Sequence, residues 1–481
     1  MWRGRRARHA GRGADGDCEA EGAVRRLAAG GPAGGTAGFC AGRDDRVVRG
    51  GVSARRGRAR WAIRLGACAV KVLHVVQAYH PAVGGSEWLI KNFSERLVSD
   101  HDKVTVFTTN VYKPEAFWRT KGPLMEPGVE QINGVTVRRF RVFNGLQLLR
   151  RLLAQGSHRL RLPYNDWLRT IQTGPLIFDM TRAIAASGAD VVLATAFPFL
   201  HMYYALAGAK RAGTPVVLLG SIHAADEWGY ERRMMYQAIE RADAYVALTA
   251  FERDFLIGRG IPAAQIAVIG GGVDVEEFER ADGIAVRRRY GWGDDPVVGV
   301  MARQSELKRL DILLHAMPHV WAVYPNARLL IAGARTSYSP QLARIVDGLS
   351  PAHRAQVTIV SDFQEDEKPD LLAACDLIAH PSGNESFGLA LIEAWACGKP
   401  VIGARVGCIP SVVDEGQDGL LVEYLDPHDL GQAIRALLSD PARRSAMGAA
   451  GREKVRQNYT WEIVTNRLRS LYLQLVSQTV V

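Results

Sequence analysis

The stretch His380–Gly403, "HPSGNESFGLALIEAWACGKPVIG", contains the pattern of a complete structural unit. It opens at the end of the apolar run "DLIAHPS", which is typical of a strand buried on both faces of a parallel sheet. A Gly-Asn turn, a helix-forming run and a second apolar run, "KPVIGA", follow. This order of strand, helix and strand predicts a βαβ unit, the building block of parallel sheets.

Two glutamates flank the start of the predicted helix. The helix is expected to begin within Ser386–Gly388, so Glu385 would lie at the carboxyl end of the preceding strand, where open parallel sheets bind their ligands. Glu393 would lie about 9 Å further along the axis, at about 1.5 Å per residue, where its carboxylate would suit paired hydroxyls such as a ribose diol. Four residues are predicted to offer backbone N–H groups to a phosphate: Ser386, Phe387, Gly388 and Leu389. The alternative is an acidic first turn followed by an ordinary exposed glutamate.

Other predicted strands also end in polar residues or glycines. Arg303 and Lys308 follow "PVVGVMA", and two cations on one loop suit a doubly charged diphosphate. His223 follows "PVVLLGSI" and is expected to face the ligand crevice. Gly84 and Gly85 precede a helix, where the backbone would approach an anion closely. The alternative for Arg303 and Lys308 is a solvated charged loop, and the alternative for His223 is a structural histidine. For the two glycines the alternative is a plain turn.

Thr249 and Glu252 follow another strand, "AYVAL", at the spacing of a capping box. We interpret this pair as a structural helix start rather than as part of a ligand site.

Length and charge limit the classes of function. A chain of 481 residues is too long for one core, so two domains are expected. Residues 1–70 contain 15 Arg and six acidic residues, whereas the rest is nearly neutral, so nucleic acid binding by the folded body is not expected. The six cysteines form no CxxC pair, which favours a reducing compartment, and no metal site is predicted. The apolar run 191–209 is interrupted by Pro198 and predicts a strand and a helix rather than a membrane span.

The pattern of strands and helices predicts an α/β protein in four segments. Residues 1–70 have the Gly/Ala/Arg-rich composition of a disordered tail. Residues 71–280 and 281–458 each alternate strands with helices and are predicted to be Rossmann-like parallel-sheet domains. Residues 459–481 form a final helix.

These motifs together resemble glycosyltransferase family 4, the group 1 glycosyltransferases with the GT-B fold. "NESFGLALIEAWACGKPVIGARVGCIPSVVDEGQDGLLV" resembles the E-x7-E region of the family, and "MARQSELKR" resembles its Arg/Lys loop. "KVLHVVQAYHPAVGGSE" resembles its glycine loop, and "YTWEIVTNRLRSLYLQL" its final helix. The resemblance implies two domains that face each other across a cleft, with the last helix crossing back to the first domain.

The same resemblance implies a retaining transfer of a sugar from a nucleotide-sugar donor to an acceptor hydroxyl, with no metal ion or other cofactor. Arg303 and Lys308 would stabilise the leaving diphosphate. Glu393 would bind the ribose hydroxyls, and Glu385 would contact the donor sugar. His223 would lie near that sugar on the opposite domain. A sugar-nucleotide isomerase of the 2-epimerase type and a non-catalytic sugar-nucleotide-binding protein stay open as alternatives.

Gly84 and Gly85 would meet a phosphate or the acceptor by the same resemblance. The sequence departs from the family pattern at three glycine-related positions. Ala302 and Arg309 stand where the family usually has Gly, and Gly271 stands where Asn is frequent. None of these departures removes a charged group.

The acceptor side has one sequence feature of its own, "GLQLLRRLLAQGSHRLRLP", residues 145–163. Leucines alternate there with Arg150, Arg151, Arg159 and Arg161, which is typical of a basic amphipathic helix on a membrane surface. A glycan or lipid-linked acceptor and a cytoplasmic location at the inner face of a membrane are therefore expected. A helix packed in the core, with solvated arginines, is the alternative.

Overall fold

The computed structural model describes residues 69–82, 84–118, 123–223 and 226–479. The predicted disordered tail lies outside these residues except for Ala69 and Val70. Val70 is buried, and its N–H donates a hydrogen bond of 2.9 Å to the carboxylate of Asp102. The folded body therefore includes Val70, which the sequence had assigned to the tail.

The first domain is built on an eight-stranded sheet in the order β3-β4-β2-β1-β5-β6-β7-β8. All neighbouring strands are parallel except β3 and β4, which form an antiparallel hairpin. The strands are β1 Lys71–Val76, β2 Lys103–Thr109, β3 Gly128–Ile132, β4 Val135–Phe140, β5 Val191–Thr195, β6 Val216–Leu219, β7 Ala244–Ala247 and β8 Ile266–Val268. The hairpin was not predicted, although its turn, Asn133-Gly134, has the positive φ angles and the sequence typical of a tight hairpin.

Helices cover both faces of this sheet, as the connections of a parallel sheet require. They are α1 Gly85–Ser99, α2 Gln147–Arg159, α3 Asn165–Thr173, α4 Met180–Ala185, α5 His201–Ala212, α6 Glu227–Tyr230, α7 Arg233–Glu240 and α8 Ala250–Ile257. The apolar run 191–209 divides into β5 and α5, as predicted. Within the described ranges no helix combines the length and apolar character that a membrane span needs.

The second domain has a six-stranded, fully parallel sheet in the order β11-β10-β9-β12-β13-β14. Its strands are β9 Val297–Met301, β10 Arg328–Ala332, β11 Val357–Val360, β12 Leu377–His380, β13 Val401–Ala404 and β14 Gly419–Val422. The linker and this domain contain the helices α9 Val275–Glu279, α10 Gly283–Tyr290, α11 Leu310–Trp321, α12 Ser339–Asp347, α13 Pro351–Arg354, α14 Lys368–Ala373, α15 Leu389–Ala396, α16 Pro427–Leu438 and α17 Pro441–Asn458. This confirms the predicted architecture of two parallel-sheet domains.

The last helix, α18 Trp461–Thr479, returns to the first domain. Its Tyr472 hydroxyl lies 3.0 Å from Nε2 of the buried His74 in β1. Arg469 forms two hydrogen bonds, of 2.7 and 3.0 Å, with the carboxylate of Asp102. These contacts confirm the predicted crossing and fix the position of the second domain relative to the first.

Asp102 makes a testable contribution to this attachment. Its side chain is fully buried, and Arg469 supplies its charged partner. We expect Arg469→Met to lower the free energy of unfolding by roughly 2–3 kcal/mol, because a lost charge-assisted hydrogen bond to a buried group costs about that much. Differential scanning calorimetry would measure the shift in the first unfolding transition.

The matched control is Arg182→Met, which removes an arginine from the exposed pair Arg182–Asp179. It should change stability by no more than about 0.5 kcal/mol. Equal melting temperatures for the two variants would show that the Arg469–Asp102 pair does not hold the helix.

Candidate functional site

A cluster of charged side chains lies at the carboxyl end of the second sheet. Lys308, in the loop after β9, forms an ion pair with Oε1 of Glu385. The same oxygen lies 2.7 Å from Nε2 of His380, the last residue of β12. Since an ionised carboxylate only accepts hydrogen bonds, Nε2 of His380 is the donor. The structure therefore brings Lys308 and Glu385 together, as the positions of their strands imply.

The electrostatic balance keeps the Glu385 carboxylate ionised. Burial by itself raises the pKa of Glu385, but the Lys308 ammonium and His380 ring beside it outweigh that effect and hold the pKa well below its usual range. Glu385 is thus a fixed negative charge at neutral pH, with a cation and a hydrogen-bond donor on one of its two oxygens.

The helix after Glu385 begins later than predicted. The structure starts α15 at Leu389, and Gly388 before it has a left-handed φ of 93°. Gly388 adopts this conformation without strain, and residues 386–388 precede the helix instead of beginning it. None of the backbone N–H groups of residues 386–389 donates a hydrogen bond to a described residue. These four donors remain available to an anion, although three of them precede the helix.

Phe387 and Leu389 use their side chains for packing between the domains. Phe387 is 3% exposed, and its ring lies 5.5 Å from that of Tyr459. A Cβ atom on Gly271 would lie 2.9 Å from Cδ2 of Leu389 and 3.0 Å from Cε1 of Phe387. Glycine at position 271, where the family often has Asn, is explained by this close approach. The Phe387 side chain is buried in this packing, so its backbone is the part left for contact with a ligand.

Glu393 lies in the interior of α15 and is paired. Its side chain is 8% exposed, and Oε1 lies 3.1 Å from the Lys368 ammonium. Both residues line a cavity of about 160 Å³ between the domains, together with Trp88 of α1 and Trp461 of α18. The alternative of an ordinary exposed glutamate is therefore excluded for Glu393. Glu393 is a buried ion-pair partner whose remaining acceptor capacity faces an interdomain cavity.

Arg303 contrasts with Lys308 because it is free. Its side chain is exposed and forms no hydrogen bond or ion pair within the described ranges. Its charge helps to lower the pKa of Glu87 in the first domain, although burial raises that pKa more strongly. Arg303 therefore lies across the cleft from the start of α1, with its guanidinium available to a ligand.

Arg309, where the family usually has Gly, has the left-handed φ of 51° that favours glycine. Its guanidinium lies 3.1 Å from the carboxylate of Asp311. The departure from the family pattern thus keeps the backbone conformation and adds an ion pair next to Lys308.

The carboxyl group of Glu87 lies against Gly84 in the glycine loop. The side chain of Glu87 comes so close to Gly84 that a Cβ atom there would collide with it, whereas Gly85 borders open space. Glu87 is 5% exposed, and its Oε1 accepts a hydrogen bond of 2.9 Å from Gln77. A carboxyl group in this place suits a hydroxyl group, which favours the acceptor among the two ligands predicted for this loop.

His223 lies on the opposite wall, after β6. Burial lowers its pKa, and the Glu385 carboxylate and Asn384 amide of the second domain offset that only in part. The ring packs edge-on against Tyr230, with 5.4 Å between centroids, and Nδ1 has no hydrogen-bond partner among the described residues. His223 is therefore a neutral side chain at neutral pH, and it lies within electrostatic range of Glu385 in the second domain.

Three contributors to the site were not predicted: His380, Glu87 and Lys368. His380 precedes Glu385 by five residues, at the end of the strand, and this position was the available signal. Lys368 lies 25 residues before its partner Glu393, and no feature of the sequence indicated that it belongs to the site. Within the part of the chain that the structure describes, no group of three His, Cys, Asp or Glu side chains is placed to hold a metal ion.

Comparison with known proteins gives two family matches that together span both domains. Residues 285–454 match the family "Glycosyl transferases group 1", and residues 83–277 match "Glycosyltransferase Family 4".

Two relatives show how far the similarity extends. The D-inositol 3-phosphate glycosyltransferase of Geodermatophilus obscurus is 31% identical over 410 residues, which cover 81% of this chain and 84% of that protein. A GDP-mannose-dependent monoacylated alpha-(1-6)-phosphatidylinositol monomannoside mannosyltransferase of Corynebacterium glutamicum is 36% identical over 211 residues, which cover 42% of this chain and 54% of that protein. Both relatives are transferases, and the comparisons give no support to the isomerase or the non-catalytic alternative.

A solved structure shows the same fold. Anabaena HepE (Alr3699), in complex with UDP-glucose, superposes with a TM-score of 0.63 at 19% identity. The match covers 84% of this chain and all of that one.

The Lys308–Glu385 pair makes a prediction about pH. Because the pKa of Glu385 is depressed in the folded protein, the stabilisation is present above the pKa of an unfolded glutamate, about 4.3. It is lost as the pH falls toward the lower folded value. We expect Lys308→Met to lower the melting temperature most at about pH 7, with a difference from wild type that narrows below about pH 4.

Melting curves between about pH 3.5 and 8 would measure this difference. Lys210→Met, in the more exposed Lys210–Asp243 pair, is the control and should have a small effect at every pH. A difference for Lys308→Met that does not change with pH would contradict the ion-pair account.

Proposed function

Because this chain belongs to the group 1 glycosyltransferases of family 4, we propose that it transfers a sugar from a nucleoside diphosphate donor with retention of anomeric configuration and without a metal ion. The nucleotide-sugar transferase activity follows from the family. The Lys308–Glu385 pair carries the proposal, because a cation and an ionised carboxylate meet there beside four free N–H groups and opposite His223.

The leaving diphosphate needs positive charge as the glycosidic bond breaks. Arg303 and Lys308 supply two cations, and the N–H groups of residues 386–389 supply neutral donors. Fixed donors directed at developing charge stabilise a transition state more than a bound substrate. In this proposal, the two cations and the N–H groups neutralise the charge of the leaving diphosphate in place of a metal ion.

The other residues take the remaining parts of the donor and the acceptor. Glu393 accepts hydrogen bonds from the ribose hydroxyls in the interdomain cavity, with Lys368 holding its carboxylate in place. Glu385 and His223 contact the donor sugar from the two sides of the cleft. Glu87 receives the acceptor hydroxyl at the start of α1.

The acceptor is proposed to be lipid-linked or a glycan precursor at a membrane surface, because α2 presents leucines to solvent. Leu148, Leu149, Leu152 and Leu153 are between 48% and 72% exposed. Arg150 is buried instead, and donates hydrogen bonds to the carbonyls of Phe117 and Ile171, so it was wrongly included in the exposed basic face. The alternative, a helix whose leucines pack in the core, does not agree with the exposure of these four side chains.

Charge and aromatic residues complete a surface that suits an anionic bilayer. Arg151, Arg159 and Arg161 are exposed beside the leucines. Exposed aromatic side chains lie nearby in the sequence: Phe143, Tyr164, Trp167 and Phe178. Arginines among leucines and aromatic rings are typical of helices that lie in a membrane interface. The proposal therefore places the enzyme at the cytoplasmic face of a membrane.

This surface is connected to the cleft. Arg169 of α3 donates hydrogen bonds to the carbonyls of Trp228 and Glu231, at 2.9 Å each, in the segment that follows His223. His158 of α2 packs its ring edge-on against Trp228, with 4.8 Å between centroids. A lipid-linked acceptor bound near α2 would therefore have a short route to the donor.

Arg303→Ala tests the role of the free cation. We expect turnover to fall by about 10²–10³-fold, the usual cost of removing one preorganised group that stabilises developing charge. The affinity for the donor should change much less. Adding Lys308→Ala should give a loss smaller than the product of the single effects, because both cations act on one leaving group.

Steady-state kinetics with the cognate nucleotide-sugar, first identified from a donor panel, would measure these effects. Arg182→Ala, at a highly exposed first-domain position, is the control. EDTA should leave wild-type activity intact. Complete inhibition by EDTA that Mg²⁺ or Mn²⁺ reverses would rule out the metal-independent proposal.

The membrane surface is tested by Leu148→Gln/Leu152→Gln. We expect this double variant to bind vesicles at least about 10-fold more weakly, because burial of a leucine contributes about 1.5–3 kcal/mol when complete and less at an interface. Co-sedimentation with phosphatidylglycerol/phosphatidylcholine vesicles would measure binding. Wild-type binding should weaken with added salt, since the arginines contribute through screened charge.

The matched control is Ile284→Gln/Val323→Gln, which removes two exposed apolar side chains from the second domain. It should bind the vesicles as wild type does. Wild-type protein that stays in the supernatant with both anionic and pure phosphatidylcholine vesicles would contradict the membrane location.

A further inference from the structure

The loop that carries His223 is attached to a buried carboxylate on another helix. Glu252 in α8 is 2% exposed, and its Oε1 accepts a hydrogen bond of 3.0 Å from the N–H of Ile222, the residue before His223. The same oxygen accepts a hydrogen bond of 2.6 Å from the Tyr245 hydroxyl. Oε2 accepts one of 2.8 Å from the N–H of Leu248. All three donors lie in the interior, so water does not replace them readily.

The helix cap accounts for only part of this arrangement. Thr249 accepts a hydrogen bond of 3.2 Å from the N–H of Glu252, as the capping box predicts. In a capping box the glutamate returns to the N–H of the cap residue itself. Glu252 instead bonds to the preceding residue, Leu248, and crosses to the neighbouring strand end at Ile222.

The conformation of the His223 loop depends on external support. Ser221 has a left-handed φ of 51°, which costs energy for a residue other than glycine. A Cβ atom on Gly220 would collide with the Tyr245 hydroxyl, so glycine makes room for the group that bonds to Glu252. Such backbone conformations persist where the surroundings hold them in place.

We propose that Glu252 is a positioning residue for the sugar transfer, and that it acts by fixing the backbone at Ile222 so that the His223 ring faces Glu385 across the cleft. This inference rests on the proposed role of His223. Glu252 itself is buried beneath the loop and makes no contact with the donor.

Glu252→Gln tests the inference because it preserves size but replaces one acceptor oxygen with an NH₂ group. We expect turnover to fall by about 10–100-fold with donor affinity changed by less than about 2-fold, since a small displacement of a group near the reacting atoms acts on the chemical step. Thr249→Ala is the matched control. It removes the cap of the same helix, costing about 1 kcal/mol, and should leave turnover within about 3-fold of wild type.

A double-mutant cycle with His223→Ala separates positioning from general destabilisation. If Glu252 acts through His223, Glu252→Gln should change the turnover of the His223→Ala protein by less than about 3-fold, while lowering its melting temperature as in wild type. Tyr245→Phe provides a milder change that keeps the carboxylate, and should reduce turnover several-fold in wild type but not in His223→Ala.

The outcomes distinguish this inference from the proposed function. If His223→Ala retains full turnover, the proposed role of His223 fails and the inference fails with it. If His223→Ala loses turnover but Glu252→Gln and Tyr245→Phe do not, only the inference is overturned. The same holds if the effect of Glu252→Gln is equally large with and without His223.

Discussion

A carboxylate that stays ionised in a poorly solvated position is the constraint on which the site depends. Glu385 is tolerated there because Lys308 and His380 share one of its oxygens. That arrangement ties the loop after β9 to the loop after β12, two neighbouring strands of the second sheet. The second oxygen of Glu385 and the N–H groups of residues 386–389 have no hydrogen-bond partner within the described residues, so the cluster that stabilises the charge of Glu385 also offers groups to a ligand.

The other half of the site depends on how the domains are held. The last helix contacts the first domain through Tyr472 and Arg469, and both contacts involve buried partners. The packing of Phe387 against Gly271 and Tyr459 adds contact beside the interdomain linker. Because these contacts set the relative position of the sheets, His223 on one domain faces Glu385 on the other. The contacts that stabilise the interface between the domains therefore also determine the geometry of the cleft.

Strand positions were predictable from the sequence because each strand of a parallel sheet is a short apolar run followed by a turn. The residues after those runs, His223, Arg303 and Glu385, were therefore placed at the correct edges. The first residue of a helix was harder to predict. The helix α15 starts at Leu389 because Gly388 has a left-handed conformation, and the spacing of residues in the sequence does not indicate that conformation.

Some pairings between distant segments could not be predicted from the sequence. The Lys368–Glu393 ion pair and the bond from Ile222 to Glu252 join residues 25 and 30 positions apart. Their partners depend on how helices pack, which the local pattern does not encode. Arg150 shows the same limit, because its burial beneath α2 depends on the carbonyls of Phe117 and Ile171. The predicted helix with leucines on its surface is present, whereas the assignment of Arg150 to its outer face was wrong.

We propose that the diphosphate of the donor binds at the Lys308–Glu385 cluster. Isothermal titration calorimetry of UDP, GDP and ADP, each compared with its monophosphate, would test it on wild type and on Lys308→Met. We expect the nucleoside diphosphate that binds wild type to lose about 10-fold or more in affinity in the variant, since a charge-assisted hydrogen bond contributes about 1.5–3 kcal/mol. The affinity for the monophosphate should change little. Equal affinities of that diphosphate for the two proteins would show that Lys308 does not hold the diphosphate.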